Sequence, residues 1–211
     1  MRRARIKICG ITRTEDARLA ASLGADALGL VFYAGSKRAI SLQQARAIRE
    51  SLPAFVSLIG LFVDPEEAEV RAVLDAVHLD GIQFHGNEQA EFCLRFGVPY
   101  IKAVRVRQDV DPLQEVMRHP RAAAILLDAW DPHLMGGTGQ EFDWTVARQI
   151  VEHSTVPVVL AGGLRAENAA QAIKDVAPWA LDLSSGVESE PGIKSPAKLK
   201  AFFDEVTCVR F

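Results

Sequence analysis

The apolar run ending Lys7-Ile8-Cys9-Gly10 stops abruptly on a thiol, and Ala124 to Asp128 (AILLD) stops on a carboxyl. Short apolar strands that end in a reactive residue are how parallel α/β proteins present chemistry, because the carboxyl ends of their strands border the ligand crevice. A free Cys usually behaves as a small buried hydrophobe, so Cys9 is a candidate through the company it keeps. That company is polar. Arg38 lies in the loop after the second apolar run, Asp64 follows the third, Gln83 and His85 end the fourth, Arg105 and Arg107 flank the end of the fifth, and Asp182, Ser184 and Ser185 end the eighth. A thiolate abstracts a carbon-bound proton when a cation or dipole lowers its pKa, and a carboxyl protonates a leaving oxygen when apolar surroundings raise its own. Cys9 and Asp128 suit a base and an acid on opposite sides of one substrate.

Two glycine-bearing turns add a more specific signal. Leu160-Ala161-Gly162-Gly163-Leu164 and Leu183-Ser184-Ser185-Gly186-Val187 both set bare backbone N–H groups beside a helix start. Such turns cradle an oxyanion, since glycine lets it approach and the helix dipole favours negative charge. The expected partner is a small phosphorylated substrate. No metal-ligand spacing and no nucleotide fingerprint is present, so the chemistry is expected to run without a metal or cofactor. His78, His119, His133 and His153 read as solvated loop or helix residues, and Cys93 and Cys208 as packing. Asp64 before Pro65 is most simply a helix cap, and nothing in the sequence chooses between Arg105 and Arg107. Asp131 competes with Asp128 for the acid, but beside Pro132 it reads as a turn former.

The elements that position these groups repeat one phrase. Apolar strands are expected at 5–9, 27–32, 56–63, 81–85, 100–106, 124–128, 156–161 and 180–184, each followed by a helical segment. Thr12 or Thr14 is expected to cap the first helix and Ser41 the second, with Gly24 ending the first. The longest loop runs from Ala129 to Glu141. Strands that are apolar throughout must be covered on both faces, so the sheet is parallel, and eight βα units in series close into a single-domain (β/α)8 TIM barrel spanning 1–211. An open doubly wound sheet is the rival, and the missing glycine fingerprint after the first strand argues against it.

Composition agrees with that architecture. The 211 residues are 49% hydrophobic and 24% charged with a net charge of −3, and no stretch has the composition of a linker. The early Arg2, Arg3, Arg5 and Lys7 are too few for a nucleic-acid footprint. No apolar stretch follows Met1-Arg2-Arg3 to make a leader, and no window is long enough to span a membrane. Three cysteines without a pattern suit a reducing compartment, so a cytoplasmic protein is expected, with monomer the default and a homodimer the alternative.

The order of motifs resembles the phosphoribosylanthranilate isomerase family over essentially the whole chain. Lys-Ile-Cys-Gly-Ile-Thr at 7–12, Gly-Leu-Val-Phe with Ser-Lys-Arg at 29–38, Gly-Leu-Phe-Val-Asp at 60–64 and Gln-Phe-His-Gly-Asn-Glu at 83–88 carry the first half. Leu-Leu-Asp at 126–128, Gly-Gly-Thr-Gly at 136–139, Leu-Ala-Gly-Gly-Leu at 160–164, and Asp-Leu-Ser-Ser-Gly-Val-Glu with Pro-Gly-Ile-Lys at 182–194 carry the second. The resemblance implies an Amadori rearrangement of a phosphorylated aminosugar in tryptophan biosynthesis. It makes Asp128 the general acid and Cys9 the general base, with Arg38 pairing the anthranilate carboxylate. The backbones of Gly162, Gly163, Ser184, Ser185 and Gly186 would hold the phosphate, and His85 and Asp182 would line the pocket. Strand alternation puts Lys7 on the same face as Cys9, where it is expected at the substrate and favouring the thiolate.

The chain departs from the family pattern at three places. Ala34-Gly35 stands where a proline-containing segment is expected, Ser195 where an Asp commonly follows Pro-Gly-x-Lys, and Phe84 in place of a Leu. The first bears on how firmly the Arg38 loop is preset and the second on capping the last helix. Two other readings stay open. The related indole-glycerol-phosphate synthases would need a catalytic Lys and Glu set, and a barrel that only senses a sugar phosphate would tolerate replacement of Cys9 and Asp128.

Overall fold

Strand alternation with helix-length amphipathic segments gives, in a computed structural model describing residues 3–106, 111–128, 144–207 and 209, a ring of eight parallel strands. They are β1 (Arg5–Ile8), β2 (Ala27–Val31), β3 (Ser57–Phe62), β4 (Gly81–Phe84), β5 (Tyr100–Arg105), β6 (Ala124–Asp128), β7 (Val158–Ala161) and β8 (Ala180–Leu183). Each pairs with the next, and β8 closes on β1 with Lys7 opposite Asp182 and Ile8 opposite Leu183. The covering helices are α1 (Thr14–Leu23), α2 (Leu42–Ser51), α3 (Glu67–Ala76), α4 (Ala90–Cys93), α5 (Pro112–Met117), α6 (Trp144–His153), α7 (Ala166–Val176) and α8 (Pro196–Val206). No helix among the described residues is long and apolar enough to cross a membrane.

Alternation along each strand sorts the core into layers. Ile6 and Ile8, Leu58, Ile82 and Phe84, Ile125 and Leu127, Leu160, and Leu181 and Leu183 face the helices in one continuous core. Inside the barrel a small plug of Ala103, Ala124, Leu126, Val159, Ala161 and Ala180 fills the lower level, where the Arg5 guanidinium lies 3.6 Å over the Trp179 ring. Nearer the strand ends the interior turns polar, beginning with Lys7, Gln83 and Asp182.

Local chemistry sets the boundaries. Ser41 caps α2 with a full capping box to Gln44, Ser195 caps α8 by accepting from the Lys198 N–H, and Gly24 ends α1 in the left-handed region at φ +105°. The expected Thr cap of α1 is corrected: Arg13 holds that position without a side-chain cap, and the Thr12 hydroxyl donates instead to the Gly192 carbonyl. Asp64 caps no helix either. It sits at φ +45° and accepts from the Asn87 backbone and side-chain amides, while Glu66 takes the cap position of α3. The fourth helix begins at Ala90, leaving Glu88 ahead of it, and finishes in a 3-10 turn, Leu94–Phe96.

Glu88 is drawn out of that helix by a buried cation. Lys102 points from β5 away from the barrel axis and is 2% exposed; its Nζ donates to the Gly86 carbonyl at 2.7 Å and to Glu88 Oε2 at 3.2 Å. Glu88 in turn accepts from the Asp64 and Gly86 N–H groups. This knot fixes the loops after β3 and β4, and so the backbone carrying His85. His119, expected in solvent, is also buried, edge-on to Tyr100. Its pKa is lowered, first by burial and then by the nearby Lys102 charge. Replacing Lys102→Met strands Glu88 as an unpaired buried charge, so urea unfolding should show a loss of about 3–5 kcal/mol; a loss below about 1 kcal/mol would mean that the pair does not hold these loops.

Candidate active site

The strand ends open on one cavity of about 710 Å³. Cys9, one residue beyond β1, stands at its floor with Val31 and Leu61, and Asp128, the last residue of β6, reaches it from the far wall. Arg38, His85, Asp182, Gly162, Gly163, Ser184, Ser185 and Gly186 line it as well. Of the residues expected in the pocket, Lys7 alone is not on its wall. It lies beneath the floor, 5% exposed, with Nζ donating to Asp182 Oδ1 at 2.9 Å.

Space for this arrangement comes from Gly29. A Cβ there would stand 2.8 Å from Cys9 Sγ, so that the thiol would have to shift, and a tight 3.2 Å from Lys7 Nζ. The thiol is governed by opposing influences. Burial pushes its pKa up most strongly; Lys7 and Lys194 pull it down and the Asp182 carboxylate pushes it up, leaving the thiol above its ordinary value. The expectation that Lys7 favours the thiolate therefore holds for its own field, while burial outweighs it. Asp182 is likewise raised, by burial first, with Lys7 opposing, and Lys7 stays protonated because Asp182 and Cys9 together outweigh its own desolvation.

Asp128 does not meet the apolar wall expected of it. His85 Nε2 lies 3.0 Å from Asp128 Oδ2, and His85 Nδ1 lies 3.0 Å from Gln83 Nε2. With the amide in that orientation, Gln83 donates to Nδ1 and the Nε2 proton faces the carboxyl, while Gln83 Oε1 is buried without a partner. Arg105 reaches the cavity and its Nη2 approaches the His85 carbonyl at 3.4 Å. Arg107, Asp131, Pro132, His133, Cys208, the 136–139 glycine motif and the long loop at 129–141 lie outside the described residues.

The glycine turns divide their work. Gly162 and Gly163 adopt φ +81° and +64°, which a side chain would strain, and no atom stands within 4 Å of where a Gly163 Cβ would point. Gly186 instead permits close packing, since a Cβ there would strike the Leu164 carbonyl. Ser185 opens a 3-10 turn, Ser185–Val187, directly after β8. Among the described residues no group of three His, Cys, Asp or Glu gathers to hold a metal ion.

Glu188 was not legible as a site residue. It follows the 3-10 turn and grips Arg38 with two bonds, Nε to Oε1 at 2.8 Å and Nη2 to Oε2 at 2.6 Å. Burial pushes the Glu188 carboxyl up, but Arg38 and Lys194 together hold it below the usual carboxylate range. The Arg38 loop is firm despite lacking a proline: Ser36 Oγ accepts from the Arg38 N–H, and Gly35 packs against the Tyr33 ring.

A sequence profile described as PRAI, N-(5'phosphoribosyl)anthranilate (PRA) isomerase, matches residues 6–205. The chain belongs to this isomerase family. A curated N-(5'-phosphoribosyl)anthranilate isomerase of Pseudomonas fluorescens is 51% identical over 202 residues, covering 96% of this chain and 95% of that one. A phosphoribosyl anthranilate isomerase crystallised with reduced 1-(o-carboxyphenylamino)-1-deoxyribulose 5-phosphate superposes with a TM-score of 0.86 at 38% identity, covering 98% of this chain and all 100% of that one. Monomers generated from the dimeric phosphoribosylanthranilate isomerase of Thermotoga maritima give 0.85 at 36%, with coverages of 98% and 100%. Membership fits the cavity's position at the carboxyl ends of the strands, where barrel enzymes place their chemistry.

Gly29→Ala should lower kcat by about tenfold or more, because it displaces the thiol by a fraction of an ångström to an ångström, and should cost about 1–3 kcal/mol of stability from overpacking. Steady-state kinetics beside a urea melt would show both; unchanged kcat in the folded variant would mean that the thiol's place is not critical.

Proposed function

We propose that the chain converts N-(5'-phosphoribosyl)anthranilate to 1-(2-carboxyphenylamino)-1-deoxyribulose 5-phosphate in tryptophan biosynthesis, with Cys9 as general base and Asp128 as general acid. The observation that carries this reading is that the thiol and the carboxyl open on the same cavity, between an arginine and two glycine turns. The phosphate sits on the turns after β7 and β8, where backbone N–H groups and the start of α7 favour an anion. Arg38 takes the anthranilate carboxylate: Glu188 holds one edge of its guanidinium, and the remaining N–H groups face the substrate. Asp182 and His85 border the ribose.

Held this way, the sugar lies between acid and base. Asp128 gives its proton to the ribose ring oxygen, the C1–O bond breaks, and the nitrogen lone pair forms the C1=N Schiff base. His85 keeps one Asp128 oxygen fixed, leaving the other for the substrate. The Cys9 thiolate then removes the C2 proton, and the electron pair moves to form the enolamine. Tautomerisation, with protonation at C1, leaves the ketone at C2. Free thiols at Cys9 and Cys93 suit a reducing compartment such as the cytoplasm.

Turnover of freshly generated phosphoribosylanthranilate, followed by loss of its fluorescence, tests the proposal. Cys9→Ser and Asp128→Asn should each lose about 100-fold or more in kcat, the scale that general acid–base groups supply. A folded wild-type protein without turnover would refute the assignment, and variants of unchanged kcat would reduce the pair to lining residues. The base must be ionised, and burial holds the thiol above its ordinary range, so kcat/KM should climb with rising pH into the alkaline region. Lys7→Met should move that ascending limb higher still, because it removes a charge that favours the thiolate.

A further inference from the structure

The chain makes an excursion between the phosphate turn and α8 that the βα alternation does not require. Residues of β9 (Glu188–Glu190) and β10 (Ile193–Lys194) form a small antiparallel hairpin, and its return strand carries Lys194 back to the carboxyl ends of β8 and β1. The Lys194 side chain has no exposed surface. Its Nζ donates to the Cys9 carbonyl at 2.6 Å, to Glu188 Oε1 at 2.9 Å and to the Ser184 carbonyl at 3.2 Å, which uses all three donors of an ammonium. Its backbone N–H is held by Asp16 Oδ2 at 3.0 Å, from α1.

Glu188 is as fully engaged. Besides Lys194 and the two bonds from Arg38, its Oε1 accepts from the Gly192 N–H at 3.2 Å. The Arg38 stem lies on the residue after the thiol, since a Cβ on Gly10 would stand 2.4 Å from Arg38 Cδ and 3.1 Å from Ser184 Oγ. Three buried or half-buried charges thus join the end of β1, the loop after β2 and the turn after β8. They sum to one positive charge, and of the three Arg38 lines the cavity expected to receive a carboxylate.

We propose that Glu188 and Lys194 are positioning residues that lock the Cys9 backbone, the Arg38 guanidinium and the Ser184 turn into one unit, fixing the distances between base, carboxylate fork and phosphate cradle. The inference rests on the functional reading above. Glu188 acts through Arg38, and so on substrate binding. Lys194 acts through the Cys9 carbonyl, and so on the chemical step. The charged groups facing the thiol are Lys7 from β1, Asp182 from β8, Lys194 from β10 and Arg38 from the loop after β2; Lys7 and Lys194 favour the thiolate and Asp182 opposes it.

Glu188→Gln, Lys194→Met and the double variant separate the roles, the double leaving no fully buried ion unpaired where Lys194→Met alone fails to fold. Glu188→Gln should raise KM for phosphoribosylanthranilate about tenfold, the scale of one charge-assisted bond, with a much smaller change in kcat. Lys194→Met, or the double variant, should lower kcat about tenfold or more and move the ascending pH limb to higher pH. Alkylation of Cys9 by iodoacetamide, read on its peptide by mass spectrometry, should need higher pH by the same displacement. Folded variants with wild-type KM, kcat and alkylation profile would overturn the proposal. If the wild-type protein fails to turn over phosphoribosylanthranilate, the functional reading falls, and the alkylation profile still decides whether Lys194 governs the thiol.

Discussion

The barrel closes on a buried ion pair. Lys7 and Asp182 are direct register partners across the β1–β8 seam, their charged atoms are 2.9 Å apart, and both are less than a tenth exposed. Burying two charges is costly unless geometry and further polar contacts repay it, and apolar residues would close a seam as well. What this pair adds is an electrostatic setting for the thiol directly above it. Gly29 leaves room for that arrangement. The ammonium and carboxylate act on the thiol with opposite sign, while burial acts on it more strongly than either. A thiolate formed there is more basic than a free one, which suits removal of a proton from carbon.

Polar residues elsewhere follow the same logic of loops anchored from below. Lys102 and Glu88 tie the turns after β3 and β4, and Glu188 and Lys194 tie those after β1, β2 and β8. In each case a buried lysine satisfies backbone carbonyls that turns leave unpaired, and a glutamate accepts from backbone N–H groups. The strand ends are thereby rigid where the substrate must be held, without contributions from long insertions among the described residues.

The fold was legible because most strands are near-continuous apolar runs and several helices start or stop on recognisable chemistry, as Ser41, Gly24 and Pro112 show. The positions of Cys9, Asp128 and the glycine turns followed from strand ends alone. What escaped were contacts between distant segments. Glu188 gives no local sign that it will meet Arg38, 150 residues away. His119 looks like a polar loop residue until Tyr100 covers it, and Asp64 before Pro65 imitates a helix cap because the same carboxylate satisfies either a helix or a neighbouring turn. The small β9–β10 hairpin leaves no signal in the sequence, since three and two residues are too short to show alternation.

The proposed chemistry is a division of labour, in which Asp128 opens the ring and Cys9 breaks the C2–H bond. Substrate deuterated at sugar C2 tests it in single turnovers of the wild-type protein, Asp128→Asn and Cys9→Ser. Ring opening does not break that bond, so the isotope effect should collapse towards unity in Asp128→Asn, where opening becomes limiting, and reach its full primary size in Cys9→Ser. The reverse pattern, with a large effect in Asp128→Asn and none in Cys9→Ser, would contradict the assignment of both residues.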